Sequence, residues 1–140
     1  MQFLKEYLDL AVFAVLFFMS FLVLMFSIER FIFFAKAKNM EFKDEKHAQV
    51  MLSKNLTCLY IVYQNAPYVG LLGTVCGIMI TFYDIANSVD FSVNEIIIGL
   101  SLALKATALG LLVAIPTLIL YNIFLRKVEV LQSNLRLKNA

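Results

Sequence analysis

Charged residues fall into clusters along the chain, and between the clusters lie three long stretches of almost unbroken apolar sequence. Leu10 to Ile28 runs 19 residues without a charge and is dense in Phe, Leu, Val and Met. That is close to the roughly 20 apolar residues a helix needs to cross a bilayer. A secretory signal would also be N-terminal and follow a lysine, but this run is too long and bulky and lacks a small-x-small cleavage pattern, so an uncleaved helix is expected. Asn55 to Tyr83 is uncharged for 29 residues and is interrupted by Pro67. Its membrane part is expected at Ala66 to Tyr83, with residues 55–65 an approach helix. Ile96 to Leu125 is a 30-residue run broken by one charge, Lys105, with Pro116 in its second half. The pattern predicts an all-α integral membrane protein with three transmembrane helices in a single membrane domain over residues 1–140. Span one is placed at about 8–30, a loop at about 31–54, span two with its approach helix at about 55–84, a turn at about 85–95, and span three with a tail at about 96–140.

The gaps between the spans set the orientation. Arg30 to Lys54 holds six cations (Arg30, Lys36, Lys38, Lys43, Lys46, Lys54), and the tail holds four (Arg126, Lys127, Arg136, Lys138). The turn between spans two and three carries only Asp84, Asp90 and Glu95. Cationic segments stay in the cytoplasm, so an N-out, C-in topology is expected, with a cytoplasmic loop and tail. Both cytoplasmic flanks carry helical stripes: Leu52, Leu56, Leu59 and Tyr63, and Phe124, Val128, Leu131 and Leu135, each spaced i, i+4, i+7, i+11. Helices continuing out of the membrane and packing on one another would produce this, and closing a local bundle is what such stripes usually do.

Composition agrees and removes other classes. Of 140 residues, 61% are hydrophobic and 16% charged, with mean hydropathy +0.82, and so short a chain cannot hide that much apolar surface from water. A net charge of +2 supplies no basic field for nucleic acid. Cys58 and Cys76 are too few for a disulfide framework and, on one helix, would stand about 27 Å apart. His47 is the single histidine and has no cysteine or second histidine at ligand spacing, so no metal site or Cys-His pair is expected. The glycines stand within apolar runs and form no phosphate loop, so neither an enzyme nor a cofactor is expected.

All five glycines, Gly70, Gly73, Gly77, Gly99 and Gly110, lie in or at the mouth of spans two and three. Gly70, Thr74, Gly77 and Thr81 form a stripe, with Gly73 beside it, and Ala103, Thr107, Gly110, Ala114 and Thr117 mirror it. Small stripes let helix backbones approach in lipid, where packing drives association. Span one has no glycine and suits the lipid-facing layer. Two stripes on a three-span chain leave surface for neighbours, so oligomerisation is expected. The hydroxyls of Thr74 and Thr107 have two arrangements open: facing a central axis shared by several copies, or bonding their own helix at the i−4 carbonyl. Pro116 frees the carbonyl of Leu112 and is expected to kink span three; Pro67 is expected as a first-turn residue or a kink. Lys105 is the only ionisable side chain inside a span, about 15 Å along the helix from Glu95. A charge at that depth is a functional candidate, its alternative being snorkelling toward Asp84, Asp90 or Glu95. It projects about 200° away from Thr107.

The segment Ala66-Pro67-Tyr68-Val69-Gly70-Leu71-Leu72-Gly73-Thr74-Val75-Cys76-Gly77-Ile78-Met79, followed by Lys105-Ala106-Thr107-Ala108-Leu109-Gly110-Leu111-Leu112-Val113-Ala114-Ile115-Pro116 and Tyr121-Asn122, closely resembles the two signature segments of the ExbB/TolQ family, which is related to the flagellar stator (MotA) proteins. The resemblance implies a multi-pass inner-membrane subunit of a Gram-negative bacterium. It also implies a ring, typically a pentamer, around single-span ExbD/TolR-type helices, which uses the proton gradient to drive a TonB- or TolA-type protein. Thr74 and Thr107 match the two family threonines that line the pore. Where many members carry a glutamate near the start of span three, this chain has Leu102, with Lys105 one turn later, and its cytoplasmic segment is far shorter than in typical ExbB. No Asp, Glu or His lies within the three apolar runs, so a proton-carrying carboxylate would come from the partner helix. Thr74 and Thr107 would then position it, while Lys105 pairs with an acid or is driven neutral by burial and by its copies in the ring. Two other roles follow from the same residues: a TolQ-like subunit of the Tol envelope system, or a scaffold that stabilises TonB- and ExbD-like partners without moving protons.

Overall fold

The computed structural model describes residues 2–37 and 45–139. Lys38 and Lys43, two of the loop cations, lie outside the described residues. Four helices follow in order: α1 (Gln2–Ala37), α2 (Glu45–Leu52), α3 (Leu56–Ala86) and α4 (Val93–Asn139). Three of them, α1, α3 and α4, are long and apolar enough to cross a membrane. In lipid a helix is the economical answer for such sequence, because every backbone donor finds its acceptor within the segment.

These helices outrun a bilayer. At 36, 31 and 47 residues they measure roughly 54, 46 and 70 Å at 1.5 Å per residue, against a hydrocarbon core of about 30 Å. The approach segment and span two are one helix, α3, and the tail continues span three without a break in α4. α1 runs on to Ala37, past the sequence-based end of span one. Pro67 and Pro116 both sit inside these helices.

The α3–α4 connection follows from local chemistry. Asn87 ends α3, its backbone N–H donating to Tyr83 O at 3.2 Å. Ser92 and Glu95 then start α4 with a reciprocal cap: Glu95 N–H donates to Ser92 Oγ at 3.2 Å, and Ser92 N–H donates to Glu95 Oε2 at 3.2 Å. This Ser-x-x-Glu box satisfies two first-turn donors and sets a carboxylate on the positive end of the helix. The end of the bundle carrying this connection is called the turn end, and the opposite end, carrying α2, the loop end.

At the loop end a buried core gathers Phe34 of α1, Ala48 and Leu52 of α2, Leu56, Leu59 and Val62 of α3, and Phe124 and Val128 of α4. The two helical stripes read from the sequence therefore meet, with Leu131 and Leu135 half-buried against them. A second core of Val12, Leu16, Ala66, Ala106 and Ala114 lies further along, where all three long helices touch.

Arg30 organises the loop end. Its side chain is only 1% exposed, yet each of its three nitrogens donates: Nη1 to Met51 O at 2.8 Å and Leu52 O at 3.3 Å, while Nε and Nη2 grip both oxygens of Glu29 at 2.7 Å. The guanidinium also lies 4.2 Å from the Phe33 ring centroid. Asn55, the left-handed residue (φ 67°) opening α3, donates its amide to Glu29 at 2.9 Å. Arg30 thus satisfies the orphaned carbonyls ending α2 and fixes the α2–α3 elbow to α1. Arg30→Met keeps most of the apolar stem but leaves those carbonyls and the Glu29 charge uncompensated. It should lower stability by about 2–4 kcal/mol, read as a depressed thermal midpoint in detergent, with Arg30→Lys recovering only part because an ammonium cannot reproduce the fork.

Candidate functional site

The two small-residue stripes meet along one antiparallel seam. A methyl placed on Gly70 would lie 2.6 Å from Ala106 O and 3.2 Å from the Gly110 Cα; on Gly110, 2.7 Å from Ala66 O. On Gly77 it would meet the Ala103 Cβ at 2.9 Å, and on Gly99 the Thr81 Cγ2 at 2.7 Å. Gly73 faces both neighbours, at 2.9 Å from the Ala106 Cβ and 3.1 Å from Val12 of α1. Pairing thus steps from Gly70 with Gly110, through Gly77 with Ala103, to Thr81 with Gly99, in opposite directions on the two helices. Ala114 is buried beyond Gly110, in the core it shares with Ala66.

This closeness lets hydroxyls cross between helices. Thr74 Oγ1 lies 3.0 Å from Ala103 O and 3.3 Å from Gly70 O, and it contacts Thr107 Oγ1 within hydrogen-bond distance. A hydroxyl has one proton to give. The shorter bond assigns that of Thr74 to Ala103 O, which is Thr107's own i−4 carbonyl, so Thr107 donates to Thr74. Elsewhere the ordinary arrangement holds: Thr81 bonds Gly77 O at 2.9 Å, Ser101 bonds Ile97 O at 2.8 Å and Thr117 bonds Val113 O at 2.7 Å. The arrangement of Thr74 and Thr107 differs from both of those open from the sequence: they bond chiefly across the seam within one chain, with a longer contact from Thr74 to its own i−4 carbonyl. Thr74 is buried and Thr107 half-buried, so the pair sits at the margin of the seam with oxygen lone pairs to spare.

Lys105 is not part of this pair. Its Nζ lies 5.5 Å from the Phe13 ring centroid on α1, consistent with the wide angle separating it from Thr107. It lines a cavity of about 50 Å³ together with Asp9, Phe13 and Leu102. A larger vestibule of about 530 Å³ opens at the turn end, walled by Lys5, Glu6 and Asp9 of α1, Thr81 and Asp84 of α3, and Glu95, Gly99 and Leu102 of α4. Pro116 lines an apolar groove of about 640 Å³ between α1 and α4, and Pro67 is half-buried. Cys58 and Cys76 are free thiols, and among the described residues no three of His, Cys, Asp and Glu converge as metal ligands.

Sequence reading missed Asp9 and Arg30 as partners of anything. Asp9 stands one residue before the uncharged run that identifies span one, so the run itself does not include it. Arg30 reads as one more cytoplasmic cation, because its carbonyl acceptors lie more than 20 residues away.

The profile of the MotA/TolQ/ExbB proton channel family matches residues 34–136. The chain is 56% identical over 137 residues to the biopolymer transport protein ExbB of Helicobacter pylori strain J99, covering 98% of this chain and 94% of that protein. It is 48% identical over 129 residues to ExbB of Aquifex aeolicus, covering 92% of this chain and 87% of that protein. The Tol-Pal system protein TolQ of Pseudomonas aeruginosa is 42% identical over 80 residues, 57% of this chain and 35% of that protein. The short stretch between the first two apolar helices is therefore shared with the two ExbB proteins, which this chain covers almost end to end.

Substitutions along the seam should grade with what each new methyl strikes. Gly70→Ala and Gly110→Ala push on backbone carbonyls, which cannot rotate aside, and should each cost about 2 kcal/mol. Gly77→Ala meets a single Ala methyl and should cost less. Thermal midpoints of the three purified variants check the order.

Proposed function

The chain belongs to the MotA/TolQ/ExbB proton channel family, and on that premise we propose that it is a ring-forming subunit of a proton-driven motor in the inner membrane of a Gram-negative bacterium. With an ExbD-type single-span partner it energises a TonB-type protein for outer-membrane nutrient uptake. Several copies, five by the family's habit, surround the partner helices. The loop end and its cations face the cytoplasm, and the acidic turn end faces outward.

One observation carries this reading: the Thr74–Thr107 hydroxyl pair, bonded across the seam within the two family signature segments. The seam itself offers no acid. A proton crossing here needs a carboxylate supplied by the partner helix, and a carboxylate inside a membrane needs donors when charged. Thr107 can turn its proton from Thr74 toward that carboxylate, and Thr74 keeps its own acceptor in Ala103 O, so the pair solvates the anion without losing its place. When the carboxylate is protonated, Thr107 returns to Thr74. Near full-length identity to proteins named ExbB, against a partial match to TolQ, favours uptake over envelope constriction as the load.

A deletion strain tests both levels. It should fail to grow under iron or metal limitation yet keep its detergent resistance, whereas the reverse phenotype would assign the Tol role. Complementation with Thr74→Val or Thr107→Val should not restore growth, although each variant still copurifies with the partner, and Thr→Ser at either position should restore it in part. Full growth with both valine variants would sink the proton-path reading and leave a scaffold that stabilises its partners.

A further inference from the structure

Lys105 places an ammonium about 15 Å inside the span, measured from Glu95, where an uncompensated charge is costly. The acids expected to meet it, Asp84, Asp90 and Glu95, belong to the turn. Asp84 and Glu95 line the turn-end vestibule, not the cavity at Lys105. The acid that lines that cavity is Asp9, from the first turns of α1.

Three features bring the two together. Side chains on a helix lean toward its N-terminus, so the Lys105 stem points along α4 toward the turn end, where Asp9 stands. Phe13, one turn beyond Asp9 on α1, lays its ring beside the ammonium at 5.5 Å, an orientation that holds a cation against this helix. Both residues line one cavity of about 50 Å³, several times the roughly 10–15 Å³ that one water needs, and polar enough to keep it. Asp9 also lines the vestibule, and it is the acid common to both spaces.

We propose that Asp9 is the counter-ion and positioning residue of Lys105, the two forming a water-bridged charge pair between α1 and α4 that holds the ammonium inside the membrane and on which proton-driven activity depends. The dependence on activity rests on the motor reading above; the pairing itself does not. The pair turns the Lys105 charge toward α1, away from the face that carries Thr107, and compensates it there. An ammonium left unpaired would repel the proton arriving at the neighbouring seam and would draw the partner's carboxylate toward itself. α1 is then more than a lipid-facing cover, since it supplies the acid that the other spans lack.

The test uses the full chain purified with its single-span partner, together with growth of the complemented deletion strain under iron limitation. Asp9→Asn and Lys105→Met should each lower the thermal midpoint of the complex by about 5 °C or more, because each strands one charge. The double variant should recover most of that loss, because no charge is left unpaired. Asp9→Glu should keep both midpoint and growth, while Asp9→Asn, which leaves the ammonium unpaired, should not support growth. The midpoints remain informative even if a single variant is poorly folded, since the double and the glutamate variants carry the comparison. Additive loss in the double variant would overturn the pairing, as would equal recovery when Asp84→Asn or Glu95→Gln replaces Asp9→Asn. Full growth of Asp9→Asn would overturn the functional dependence. These outcomes are separable from failure of the motor reading, which is decided by the threonine variants and does not alter the midpoints expected here.

Discussion

Everything in the membrane part depends on how closely α3 and α4 approach. Gly70 and Gly110 meet with no room for a single methyl between them and the facing backbone. In water such a contact would be one term among many, but in lipid the hydrophobic effect gives two apolar helices no reason to prefer each other. Close packing and hydrogen bonds that cross the gap remain, and both require backbones this near. The Thr74 bond to Ala103 O is the direct product of that closeness, since a longer interhelical distance would return each threonine to its own i−4 carbonyl. Packing and chemistry are therefore one feature of the sequence rather than two.

α1 is fastened to this pair at both ends by different means. Near the middle, Val12 fills the space Gly73 leaves open. At the loop end, Arg30 carries the link in a single buried side chain, reaching the end of α2 and, through Glu29 and Asn55, the start of α3. A cation of this kind is counted by the positive-inside rule, yet its position in the fold is that of a structural donor. The long extensions of α3 and α4 give the clamp a rigid body to hold, because Leu59, Phe124 and Val128 are packed together beneath it. The spans and their extensions are the same helices, so the clamp and the seam belong to one continuous body.

How much of this the sequence reveals depends on the range of each interaction. The three apolar runs, the stripes at Leu52 to Tyr63 and Phe124 to Leu135, and the facing of Gly70 to Thr81 against Ala103 to Thr117 all follow from periodicity, which is a local property. The cross-seam bonds of Thr74 and Thr107 are not legible that way, because back-bonded, axis-facing and cross-bonded threonines occupy the same positions in sequence. Asp9 was invisible for a related reason: its relation to Lys105 is fixed by the stagger of α1 against α4, which no count of residues along either helix contains. Arg30 needed a contact more than 20 residues distant. The family signature segments recovered the threonines as candidates, but they lie in α3 and α4 and are silent about α1.

The central claim is that protons pass where the two hydroxyls meet. Its most direct measurement is proton entry into liposomes that hold the chain together with its single-span partner, driven by a pH gradient and followed with an internal dye. Entry should require both proteins and should fall to the level of empty liposomes with Thr107→Val, while the complex in the membrane stays intact. Unchanged proton entry through the Thr107→Val complex would contradict the account.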